Sequence, residues 1–71
     1  MTKGQNAAVD YIQHFLNSNQ TTFSWSDLRD YVKRNARVKN WMTIREILQM
    51  AINREYVKRT DNLSVEQYVK F

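Results

Sequence analysis

The sequence predicts an α+β domain, mostly α, with three helices, a short strand after the first helix and a C-terminal β-hairpin. Three stretches carry that prediction. Trp41 to Arg59, WMTIREILQMAINREYVKR, reads as one amphipathic helix running directly into a strand. Upstream, two segments with helical spacing of apolar residues are separated by a β-branched and aromatic run. Tyr56 to Phe71 then alternates around Asp61-Asn62, residues that tolerate positive φ in tight turns.

Taken in order, residues 1–4 are expected to fray, leaving one domain over 1–71. Gln5 to Ser18 places Ala8, Ile12, Phe15 and Leu16 on one helical face with Val9 beside it, and Asn17 to Gln20 ends that helix. Thr21 to Trp25 predicts a short strand with Phe23 and Trp25 on the same side. Ser24 or Ser26 caps the second helix, with Asp27 near its positive end. Leu28, Tyr31 and Val32 face inward on it, and it runs to about Arg34. Asn35 to Asn40 is a connector without apolar periodicity.

The third helix opens with Thr43-Ile44-Arg45-Glu46, the T-x-x-E form of a capping box, with Met42 and Ile47 spaced for a hydrophobic staple. Ile44, Ile47, Leu48, Ala51 and Ile52 share its core face. Glu46, Gln49, Met50 and Asn53 occupy the opposite face, with Arg45 at the edge. In the hairpin, a loop from Asp61 to Leu63 pairs Tyr56 with Tyr68 and Lys58 with Glu66.

Composition narrows the function. A 71-residue chain buries only about 60% of its unfolded surface and is marginally stable. It has no Cys, which fits a reducing cytoplasm, and no apolar run long enough for a membrane span. His14 is the only His, so a zinc site of ordinary composition is not expected. There is no glycine-rich phosphate loop, and no Ser has a partner placed to activate it. Asp27 and Asp30 share a helix, but so small a domain offers no cleft for them. An enzyme is not expected, nor is a cofactor. Trp25, Trp41, Tyr11, Phe15, Phe23, Tyr31 and Tyr56 are assigned to the core. The net charge of +4 and pI near 9.7 favour an anionic partner, nucleic acid before membrane.

Helix, short strand, helix, helix and hairpin in that order resemble the winged helix-turn-helix superfamily over about Gln5 to Phe71. The likeness rests on the passage from Leu48 through Arg59, the terminal strand with Tyr68 and Phe71, and Phe23-x-Trp25 before the second helix. The chain departs from the pattern at Glu55, where many winged helices have glycine, and in its long connector. The resemblance implies a helix at 43–53 in the major groove of double-stranded DNA and a 56–71 wing beside the backbone. Five cations and no acid lie between Tyr31 and Arg45. The implied contacts are Lys33, Arg34, Arg37 and Lys39 before the helix, Thr43, Arg45 and Gln49 on it, and Lys58 and Arg59 on the wing.

Such a protein would be a small transcription or replication regulator of the cytoplasm, on the nucleoid, or of the nucleus in a eukaryote. Specific binding by so small a domain calls for a homodimer on a repeated half-site. The alternative is a winged helix that binds an acidic protein surface through its Gln49 and Met50 face or its hairpin edge.

Overall fold

The computed structural model describes residues 1–60 and 66–71, so the expected loop from Asp61 to Leu63 lies outside the described residues. The order of elements is α1 (Lys3–Asn17), β1 (Thr22–Ser24), α2 (Trp25–Asn35), α3 (Trp41–Asn53), β2 (Val57–Arg59) and β3 (Gln67–Lys70). The fold is α+β and mostly helical, with three helices against one three-stranded antiparallel sheet.

α1 starts earlier than expected, at Lys3 rather than Gln5. Thr2 is its N-cap, accepting from the Gln5 N–H at 3.1 Å while Gln5 Oε1 accepts from the Thr2 N–H at 2.9 Å. Thr2-x-x-Gln5 is itself a capping-box pattern, and it holds the end of the helix in place. Gly4 is buried there, and a Cβ on it would stand 3.0 Å from Val38 Cγ2 and 3.2 Å from Ile44 Cδ1. The chain's single glycine lets α1 approach the connector and α3 closely.

Ser24 caps α2, accepting from the Asp27 N–H at 3.2 Å, and Asp27 accepts from the Ser24 N–H at 3.0 Å. Trp25 is therefore the first residue of the helix and not part of the strand, so it does not share a strand face with Phe23. Phe23 is buried, whereas Trp25 is half-buried.

The expected cap of α3 is not formed. Asn40 is the N-cap, with Oδ1 accepting from the Met42 N–H at 2.9 Å, and Thr43 Oγ1 donates to the Asn40 carbonyl at 2.8 Å. With Trp41 inside the first turn, Thr43 no longer faces free N–H groups. Met42 is 71% exposed, so the staple is absent as well. At the other end, the Tyr56 N–H donates to the Ala51 carbonyl at 2.9 Å and the Glu55 N–H to Ile52 at 3.0 Å, the paired bonds of a Schellman cap. Glu55 takes the left-handed position with φ 62°, where glycine is usual.

β3 is the central strand, in the order β1-β3-β2. Tyr68 stands opposite Phe23 on one side and Arg59 on the other, and Lys58 stands opposite Val69. The expected pairs, Tyr56 with Tyr68 and Lys58 with Glu66, are not made. Side chains alternate along a strand, so the expected register would turn Val57 away from the face of Tyr68, whereas the observed one puts the two on the same face. Both are buried, while Tyr56 is exposed and does not join the core. Phe23 packs against Tyr11, Phe15 and Tyr68 with ring centroids 4.7 to 5.5 Å apart. Leu28, Val32, Ile44, Ile47 and Leu48 complete the core between the helices.

Replacing Glu55 with glycine is expected to stabilise the domain by about 1 kcal/mol, because the left-handed conformation strains any residue with a Cβ. Thermal unfolding should show this as a rise in Tm of about 4–8 °C. An unchanged or lower Tm would mean that Glu55 is not held at positive φ in solution.

Candidate nucleic-acid interface

Burial of Ile44, Ile47, Leu48 and Ala51 turns Met42, Glu46, Gln49, Met50 and Asn53 outward on α3. This face is polar and apolar by turns, not basic. Gln49 Nε2 donates to Asn53 Oδ1 at 2.9 Å one helical turn on, so the two amides form a unit. Glu46, freed of any capping role, is exposed.

Cations flank that face at two places. On one side Arg37, Lys39 and Thr43 line a shallow depression together with Thr2 and Gly4. The connector therefore gathers its charge where the first turns of α1 and α3 meet. Lys3 is exposed in the same first turn of α1 and adds a cation there. The signal that would have found it was Thr2-x-x-Gln5.

On the other side Arg45 turns toward the sheet. Its Nη1 is 3.0 Å from Glu66 Oε2 and its Nη2 is 3.5 Å from Oε1. Its guanidinium lies 4.1 Å from the centroid of the Trp25 ring, and Trp25 meets Trp41 edge-on at 6.1 Å. Both Trp side chains pack on the core yet remain partly exposed. The Tyr68 hydroxyl donates to Glu66 Oε2 at 3.2 Å.

The Glu66 carboxyl is held below its ordinary pKa, chiefly by the hydrogen bonds from Arg45. Partial burial opposes this, while the charge of Arg45, the Tyr68 hydroxyl and the nearby Arg59 add to it. Tyr68 is pushed up by burial and by the Glu66 charge beside it.

The other expected contacts divide. Trp25, Arg29 and Lys33 recur at four-residue spacing, and the contacts of Trp25 turn that stripe toward α3. Arg34 falls with Asp27 and Asp30 on another stripe, and the Asp27 charge is felt by Tyr11 of α1. Lys58 and Arg59 are both exposed but leave opposite faces of the sheet, because neighbouring strand residues alternate. Lys70 is taken up structurally, donating to the Ser18 carbonyl and covering the Phe15 ring. Among the described residues there is no cluster of His, Cys, Asp or Glu that could hold a metal, and no helix long and apolar enough to cross a membrane. The chain matches no family model, no curated protein and no solved structure.

A carboxyl that titrates lower in the folded chain than in the unfolded one stabilises the fold above its unfolded pKa. That contribution is lost as pH falls through the folded value. Wild type is therefore expected to lose more stability than Glu66→Gln on acidification from neutral pH to below 4.5, the ordinary value for this carboxyl. The difference is modest, at most about 1 kcal/mol, because the pair is exposed. Urea unfolding midpoints of both proteins at the two pH values measure it, and equal losses would show that the pair contributes nothing.

Proposed function

We propose that the protein is a winged-helix module that binds double-stranded DNA and serves as a small regulator of transcription or replication. The outer face of α3 enters the major groove, where Gln49 and Asn53 have the amide chemistry that pairs with adenine. Arg37 and Lys39 hold phosphates at the start of α3, while Arg59, on the Tyr68 face of the sheet, does so on the wing. The observation that carries this reading is the gathering of the exposed cations Arg37 and Lys39 beside the first turn of α3, next to its outward-facing side. The sheet order supports it, since pairing of β1 with β3 ties the hairpin to the helices beside α3. Its role is one of binding, without catalysis, in the cytoplasm or on the chromosome. High specificity would come from two copies on a repeated half-site.

A second reading has its own observation. Met42 is 71% exposed and Met50 43% exposed on the same outer face, and flexible thioethers suit an adaptable protein groove. There α3 would bind an acidic partner protein.

Titrating a short duplex of random sequence at increasing salt separates the two. The DNA reading expects dissociation constants of about 10⁻⁴ to 10⁻⁶ M near physiological salt, tightening steeply as salt is lowered. The log–log slope should shrink by about one for each of Arg37→Ala and Lys39→Ala. Arg34→Ala, on the other stripe, should change it less. Absence of binding at low salt by a protein with normal circular dichroism would discard duplex DNA and leave the protein partner.

A further inference from the structure

We propose that Arg45, Arg59 and the Tyr68 hydroxyl form a phosphate-binding cradle that Glu66 fills with its own carboxylate, a built-in competitor for the DNA backbone. As a backbone contact this rests on the duplex-binding reading; as an anion site it stands without it. Arg45 is the single cation of α3, yet both its Nη atoms are spent on the two oxygens of Glu66, at 3.0 and 3.5 Å. A phosphodiester presents the same fork, two non-bridging oxygens sharing one negative charge.

The receiving groups do not depend on Glu66 for their places. The Arg45 guanidinium rests over the Trp25 ring, 4.1 Å from its centroid. Tyr68 is buried and stacked on Phe23 at 5.3 Å, and its hydroxyl reaches the carboxylate at 3.2 Å. Arg59 is the ladder partner of Tyr68 and so leaves the sheet on the same face. The Glu66 backbone is pinned separately, its carbonyl accepting from the Trp25 N–H at 3.0 Å.

The site is open to solvent. The side chains of Arg45 and Glu66 are 48% and 33% exposed, and an ion pair so exposed is weak enough for a phosphate to displace. Wild type thus carries its α3 arginine neutralised, and a DNA phosphate must compete with a tethered acid.

Glu66→Gln tests this, because it keeps the acceptor for Tyr68 and removes the charge. Glu66→Ala is the second variant should the amide disturb the fold. Inorganic phosphate, titrated at constant ionic strength, should shift the ¹⁵N–¹H Nε signals of Arg45 and Arg59 saturably in the variant and hardly at all in wild type. Duplex DNA should bind the variant about tenfold tighter at about 0.1 M salt, with a slope steeper by about one, the effect of one more neutralised phosphate. Adding Arg45→Gln should abolish that gain.

A folded variant whose arginine signals ignore phosphate overturns the cradle. Unchanged DNA affinity in Glu66→Gln, while Arg37→Ala and Lys39→Ala still weaken binding, overturns the competitor role and spares the duplex reading. Phosphate shifts without DNA binding by any of these proteins would keep the anion site and assign it to a free phosphate-bearing ligand.

Discussion

Burial of Phe23 is the interaction on which the rest of the structure depends. The residue sits in a strand of three residues, too short to hold itself in place, yet its ring meets Tyr11 and Phe15 of α1 and Tyr68 of β3. Two of these contacts are edge-on and one is stacked, the arrangements aromatic quadrupoles favour. One side chain thus joins the helical layer to the central strand. Because β2 pairs with β3, its position relative to the helices passes through this ring cluster.

Much of this architecture was legible in the residues. The apolar spacing of Ile44, Ile47, Leu48 and Ala51 marked the core face of α3, and the same rule marked Ala8, Ile12 and Phe15 on α1, because one period governs both. Helix starts were harder, since several polar residues compete to cap. Thr43 and Asn40 both have suitable side chains, and only the packing of Trp41 on Trp25 shows that the helix starts early enough to use Asn40. Register was the least legible feature. Local pairing preference favoured Tyr56 beside Tyr68, but burying Val57 outweighed it, and burial depends on the whole core rather than on two strands.

The surface was legible only as a list of charges. Sequence clustering joined Lys33, Arg34, Arg37, Lys39 and Arg45, whereas the fold divides them. Helical geometry sets Arg34 among acids, the connector gathers Arg37 and Lys39 at two helix starts, and Arg45 turns to Glu66, a residue of distant sequence. No spacing rule reveals a contact between residues so far apart in the chain. Charge counting also treats every arginine as available, and it missed that one was already paired. Exposure and partnership, more than number, decide which cations can meet a polyanion.

One feature of the sheet bears on how the molecule comes to be. The middle strand, Gln67–Lys70, is supplied after both strands it joins, Thr22–Ser24 and Val57–Arg59. As the polypeptide leaves the ribosome, the helices can gather through contacts near in sequence, but both outer ladders wait for the same late segment. Until it emerges, two bare edges and an unfilled aromatic socket around Phe23 face the crowded cell, the state in which a nascent chain is most open to chaperones and to pairing with a neighbour.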